Sequence, residues 1–377
     1  MALLLLFFHF MVDFVVSFPA PLSPYFIHHY GLDARTAAMS VATLAFTGSL
    51  SQVLFAFRRH DRPFRQAYLS MSFTLIPLFF LGLPVPFLAV FLLFFAVYLA
   101  DGAFHPLGAA LAGINQGGKG ITSFISGGIL GGALGPVFIT WFVPKYTLLR
   151  LPFLPLFTLL PLSLWFLREE KPSLCLERAT FSWRLFSLLW PIWFVVSSRT
   201  FISSVFHTFV PIAMAEKGYP LLSGGILLSS GVLLGIAANT LGNRLRSFLS
   251  NGKINLLSFL VLGGSVLAFT VVHRLFLLFF FYILADFATF LTMSTNVTEA
   301  QKLLPEHRVF ASSLSMGFAW ALGHTLNLLW ASLFGNHTSF VLQSIGLIAL
   351  GITFTLFFLE RATALRTAEA ESKSTPT

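Results

Sequence analysis

The sequence predicts an all-α membrane protein of twelve transmembrane helices in two pseudo-symmetric six-helix halves, and three observations predict it. Hydrophobic residues make up 56% of the chain and charged residues only 10%, with a mean hydropathy of +0.84, more apolar surface than one water-facing core can bury. With the first residues on the inner side, seventeen Lys and Arg fall in segments facing one side and five in segments facing the other, an alternation that an odd number of spans would break. Finally, Tyr98-Leu99-Ala100-Asp101 resembles Tyr282-Ile283-Leu284-Ala285-Asp286, with the aspartates 185 residues apart, about half the chain.

A bilayer-crossing helix needs about 20 mostly apolar residues. Cutting at charges, glycines and prolines gives spans near 3–27, 34–57, 66–83, 86–113, 121–143 and 147–167, then 184–215, 221–243, 254–272, 275–298, 309–334 and 339–359. The first lacks the basic start of a signal peptide and contains His9 and Asp13, so it is expected to stay as a span. Pro19, Pro21 and Pro24 should break its outer third. Asn115 to Gly120 reads as a short cytoplasmic turn, because the strand and helix that would flank a phosphate loop are missing. In the fifth span Gly127, Gly131 and Gly135 recur every four residues and lead into Pro136, a face suited to close helix approach. The longest polar interruption divides the chain into an N-terminal half (1–167), a cytoplasmic linker (168–183), a C-terminal half (184–359) and a cytoplasmic tail (360–377).

Several functions are set aside by the same residues. The basic residues are scattered singly between apolar runs and form no nucleic-acid patch, despite a net charge of +9. Cys175 is the single cysteine, so no intrachain disulfide or cysteine metal site is available. No spacing resembles a metal site or a nucleophile with its base, so neither an enzyme nor a metal or cofactor is expected.

The buried charges carry the functional reading, since an ionisable side chain at mid-membrane costs about 2.5–3.5 kcal/mol on insertion scales. Asp13, Asp101, Arg199 and Asp286 lie on spans 1, 4, 7 and 10, the helices that would line a cavity between the halves. His9 with Asp13, and Asp101 with His105, are spaced i, i+4, so each pair shares a helix face and can exchange a proton or anchor neighbouring helices. These residues, with Asp286, are the proton-coupling candidates. Arg199 stays charged and must meet an acid, carbonyl groups or an anionic ligand, and a pair with one of the three aspartates is the expectation. With His324 and Asn327 of span 11 it forms the substrate-binding set, although the latter two favour a structural role; His207 is expected to be interfacial.

The loop Phe57 to Arg65 resembles a degraded form of the loop motif of the major facilitator superfamily, keeping Asp61-Arg62 and Arg65 and losing both glycines. Gly131 with Gly135-Pro136 is similar to the core of that superfamily's antiporter motif. Within the superfamily, His9-Phe10-Met11-Val12-Asp13, Tyr30-Gly31-Leu32 and Phe104-His105-Pro106 resemble the fosmidomycin resistance protein family of efflux carriers, while Leu107 stands where that family has a glutamate. The resemblance implies the major facilitator fold and His9, Asp13 and His105 as functional candidates; the Lys and Arg bias places both termini on the cytoplasmic side, and a bacterial inner membrane is the expected location. The resulting expectation is a secondary transporter that expels a small organic compound, anions included, against proton entry. Asp13 or Asp101 would carry the proton, and Arg199 would bind substrate or balance charge. Uptake of an organic anion, and a lipid translocator or non-transporting membrane partner that keeps the fold, are the alternatives.

Overall fold

A computed structural model describes residues 2–56, 58, 60–151, 182–307, 311 and 314–374. Twelve α-helices are described: α1 Ala2–Val16, α2 Ser23–Tyr30, α3 Ala34–Ala56, α4 Pro63–Leu75, α5 Phe87–Tyr146, α6 Trp183–Glu216, α7 Leu221–Leu245, α8 Asn251–Val271, α9 Leu275–Leu291, α10 Met293–Leu303, α11 Ala319–Phe334 and α12 Thr338–Ser374. No β-strand occurs among the described residues. Among the described residues, eight segments are long and apolar enough to cross a membrane. α3, with 23 residues, covers about 34 Å at ~1.5 Å per residue, enough for a hydrocarbon core of ~30 Å.

These helices are not the spans one for one, and the differences have local causes. The first span breaks after Val16 and resumes at Ser23, with Pro24 in the first turn of α2. Gly31, at φ 66°, then ends α2 in the left-handed conformation. The third span is α4 followed by a 3-10 turn, Ile76–Phe79, that contains Pro77. The fourth and fifth spans form one helical range, so the turn expected at 115–120 is not a loop. The chain nevertheless reverses there: Phe104 and Phe124 would lie about 30 Å apart along a straight helix, yet their rings are 5.9 Å apart. The tenth span divides at Thr292 into α9 and α10, and the eleventh opens with a π-helical turn, Leu314–Phe318. α12 runs to Ser374, into the stretch expected to be a tail. Most of the sixth span, Cys175 and nearly all of the linker at 168–183 lie outside the described residues.

The buried apolar side chains sort largely by half. One cluster, from Leu5 to Leu151, includes Phe8, Val12, Phe18, Phe94 and Phe104; another, mostly from Val195 to Ala349, includes Phe206, Phe209, Phe259 and Tyr282. Glycines set the closest helix contacts. A Cβ on Gly127, Gly131 or Gly135 would strike the main-chain oxygens of Leu6, Phe10 and Phe14 respectively, so this stripe lies directly on the backbone of α1. The small-residue face is therefore a packing surface.

The halves meet along two seams. α5 packs on α7, where the Val137 amide donates to Ser229 Oγ at 3.1 Å, and α3 packs on α11. The Arg35 amide also donates to Asn336 Oδ1 at 3.0 Å. That contact lies at the end of the bundle opposite the basic end, which carries Arg58, Arg62, Arg244, Arg246 and Lys253. Asp33 caps α3 beside it by accepting the Thr36 amide at 2.9 Å, and Thr36 holds its carboxyl below the usual carboxylate range. This cap is intact at neutral pH and is lost only as pH falls through the lowered value.

Candidate functional site

The repeat seen in sequence has a counterpart in space. In the N-terminal half, Gly48 of α3 lies against Tyr98 and Asp101; in the C-terminal half, Gly231 of α7 lies against Tyr282 and Asp286. Each glycine gives its tyrosine and aspartate room between helices. Each aspartate also meets a histidine: His105 Nδ1 is 3.0 Å from Asp101 Oδ1, and His207 Nε2 is 2.6 Å from Asp286 Oδ1.

The N-terminal cluster gathers four of the expected residues. His9 Nδ1 lies 2.7 Å from the main-chain oxygen of Phe124; a carbonyl only accepts, so Nδ1 carries the hydrogen. His105 Nδ1 is fixed likewise by the main-chain oxygen of Asp101 at 3.0 Å. The two Nε2 atoms then face each other at 3.0 Å, with Asp13 Oδ2 3.3 Å from His9 and Asp13 Oδ1 3.4 Å from His105. Donor atoms of His9, Asp13 and His105 all lie within 4.8 Å of one another. The sequence offered no metal-ligand spacing, because the third member is brought in from α5; the fold assembles a three-residue donor set that spacing did not show. Tyr98 braces the cluster by donating its hydroxyl to the Val16 oxygen at 2.7 Å.

The C-terminal cluster corrects two expectations. His207, expected at the interface, instead pairs α6 with α9 through Asp286, which is only 1% exposed. The orientation of α6 toward α9 is a tertiary feature, which is why the pair was missed. Arg199 has no carboxylate in ion-pair reach among the described residues. Its Nη1 donates to the Thr289 oxygen and to Thr292 Oγ1, both at 3.4 Å, while Nε is unbonded. The kink at Thr292 supplies these acceptors, so Arg199 solves its burial with backbone and hydroxyl oxygens and not with an aspartate. His324 and Asn327 tie α11 to α6: His324 Nδ1 is 2.9 Å from Ser204 Oγ, and Asn327 Nδ2 donates to Ser204 Oγ at 2.7 Å and to Thr208 Oγ1 at 3.1 Å.

A cavity of about 330 Å³ lies between the halves. Asp13, Gly48, Tyr98, Asp101, His105 and Gly132 line it from one half, and Val232, Trp320 and His324 from the other. Arg199 does not line it. A larger groove, about 750 Å³, runs along the flank of α3, α4 and α5 and is walled mainly by apolar side chains such as Phe73, Ile76, Phe80 and Leu99. It contains none of the expected site residues, so the smaller cavity is the functional candidate despite its size.

The loop residues Asp61, Arg62 and Arg65 sit at the start of α4, with Arg62 just before Pro63. His60, which the sequence reading passed over, latches this turn: its Nε2 donates to the Phe55 oxygen at 3.0 Å and its Nδ1 lies 2.8 Å from Gln66 Oε1. Pro136 follows the glycine stripe within α5.

Residues 3–326 match the family model described as Major Facilitator Superfamily. The chain belongs to that superfamily. Solved structures of similar fold include a POT family transporter in complex with 5-aminolevulinic acid, 13% identical over 95% of each chain with a TM-score of 0.79. A bacterial homolog of the human lysosomal transporter Spinster, in an inward-facing and occupied conformation, is 13% identical over 97% of each chain with a TM-score of 0.72. A mutant form of the nucleoside transporter NupG is 15% identical over 96% of this chain and 99% of that one, with a TM-score of 0.73. No curated protein matches the chain. This superfamily member is thus an integral membrane protein and a secondary transporter, not an enzyme.

Proposed function

We propose that this superfamily member exports a neutral or cationic small organic compound in exchange for protons, by alternating access about the cavity between its halves. The observation that carries the coupling is the Asp286–His207 pair. Asp286 is sealed among α6, α7 and α9, with Oδ1 2.6 Å from His207 Nε2 and the Tyr282 side chain of its own helix also facing the carboxylate. A sealed carboxylate paired with an imidazole can gain and lose a proton through that partner. The His207 side chain is 31% exposed, and it links the sealed acid to more open space. Tyr282 and Asp286 face His207 from α9, and His324 from α11 carries this polar environment to the cavity wall.

The cavity chemistry supports the substrate class. Two carboxylates and two imidazoles line it, and no lysine or arginine does among the described residues. Uptake of an organic anion bound by Arg199 lacks its key contact, because that guanidinium faces Thr289 and Thr292. At about 330 Å³ the cavity suits a small ligand, near the lower end of the ~300–1,000 Å³ usual for such sites. The resemblance to the fosmidomycin resistance family supports the direction of transport. The charge bias, with both ends of the described chain on the basic side of the bundle, supports an inner membrane with cytoplasmic termini.

Tetraphenylphosphonium, a lipophilic cation, is a suitable probe in proteoliposomes with an imposed pH gradient and a clamped membrane potential. Proton entry into a compartment should drive the cation out of it, and reversing the gradient should reverse the net flux. Equal flux under both gradients would point to an uncoupled path, such as a lipid translocator, and overturn the reading.

A further inference from the structure

We propose that His9, Asp13 and His105 form a binding site for one first-row divalent transition-metal ion, with zinc and cobalt as its natural class. The main chain fixes both imidazoles. Their Nδ1–H groups are committed to main-chain oxygens, on Phe124 and Asp101, so both Nε2 lone pairs point into the same space, 3.0 Å apart. Two lone pairs at that distance repel unless a cation lies between them.

A shared proton would answer for the two nitrogens but not for the carboxylate. Asp13 turns one oxygen to each imidazole, Oδ2 at 3.3 Å from His9 Nε2 and Oδ1 at 3.4 Å from His105 Nε2, both longer than the ~2.7–2.9 Å of a charge-assisted hydrogen bond. Ligand atoms about 2.0–2.1 Å from a common tetrahedral centre are themselves separated by ~3.3–3.4 Å. The two Nε2 atoms are 3.0 Å apart, Asp13 presents Oδ2 to His9 and Oδ1 to His105, and one donor atom from each of the three residues lies within 4.8 Å of the others, so small side-chain adjustments bring them to such a spacing.

The surroundings fit the same reading. Metal-ligating histidines generally donate their other ring hydrogen to a carbonyl or carboxylate, which fixes the ring; His9 does so to Phe124, and His105 to Asp101, whose carboxylate oxygen is also 3.0 Å from Nδ1. Stacking on Phe124, with ring centroids 3.9 Å apart, further immobilises His9. Gly128 closes over the group, because a Cβ there would collide with His9 and Asp13. Two imidazoles and one carboxylate select first-row ions over calcium or magnesium. Asp13 and His105 both line the cavity, so the remaining coordination position faces the space through which substrate passes.

Tag-free protein stripped with a chelator and titrated with cobalt(II) provides the test, read by its visible absorption and by equilibrium dialysis. One ion per chain should bind and be displaced by zinc. His9→Ala and His105→Ala should each weaken it by at least ~100-fold, while His207→Ala leaves it unchanged. X-ray absorption at the cobalt edge of the unmutated protein gives a readout that does not depend on how variants fold, and two imidazoles should appear in the shell. No stoichiometric binding, binding unchanged in both histidine variants, or a shell without imidazole would overturn the proposal. Because coupling is assigned to Asp286 and His207, the transport reading stands or falls separately.

Discussion

Gly131→Val is expected to abolish recovery of monodisperse protein in detergent, whereas Gly132→Ala, one residue along the same helix, is expected to fold like the parent. A Cβ at Gly131 would overlap the main-chain oxygen of Phe10, and no side-chain rotation removes a backbone atom. Overpacking in a core ordinarily costs about 1–3 kcal/mol. Here the obstacle is α1 itself, which touches the same stripe at Leu6 and Phe14, so relief at one position would open the others. At Gly132 nothing lies within 4 Å of the added carbon. Helix propensity even favours alanine there by up to ~1 kcal/mol. Size-exclusion profiles and thermal unfolding of the two variants would show the contrast; similar profiles would mean that α1 and α5 do not approach as described.

Asp286→Asn is expected to uncouple the transporter without emptying its binding site. The amide is nearly isosteric with the acid and can still meet His207, but it cannot gain and lose a proton. Net movement of tetraphenylphosphonium driven by a pH gradient should fall by ~5–150-fold, the usual size of a coupling free energy of ~1–3 kcal/mol. Exchange of labelled for unlabelled cation at equal pH should persist, because Asp286 does not line the cavity. Loss of exchange and of driven flux together would make Asp286 a structural residue. Retained gradient-driven flux would move coupling elsewhere.

Much of the architecture was legible because a bilayer restricts the solutions. Backbone groups in hydrocarbon must bond internally, so apolar runs of sufficient length become helices, and Pro19, Pro21 and Pro24 mark where the first of them fails. The Gly127, Gly131 and Gly135 spacing announced a contact face, although only the fold shows that its partner is α1. The i, i+4 pairs His9 with Asp13 and Asp101 with His105 were likewise readable, since a single helix sets both distances.

What stayed hidden depends on how helices turn toward one another. His207 and Asp286 are 79 residues apart and meet only because α6 and α9 cross. The donor cluster needs α5 to pack on α1 and present His105 to His9 and Asp13. Arg199 misled for a related reason: a buried cation in sequence suggests an acid, but the break at Thr292 frees oxygens that sequence does not advertise. The Tyr98-to-Asp101 and Tyr282-to-Asp286 similarity, a short match in sequence, gained meaning from Gly48 and Gly231, which stand in the corresponding places of the two halves.

The central claim is that the two halves rock about the cavity, so that its ends open alternately. Spin labels at Arg62 and Phe248 report the basic end, and labels at Leu149 and Phe276 report the opposite one, each pair with one member in each half. Distances measured between the labels in nanodiscs at acid and alkaline pH, with saturating tetraphenylphosphonium, should change in opposite senses: one pair lengthens as the other shortens. Distances at both ends that stay fixed, or that lengthen together, would contradict the account.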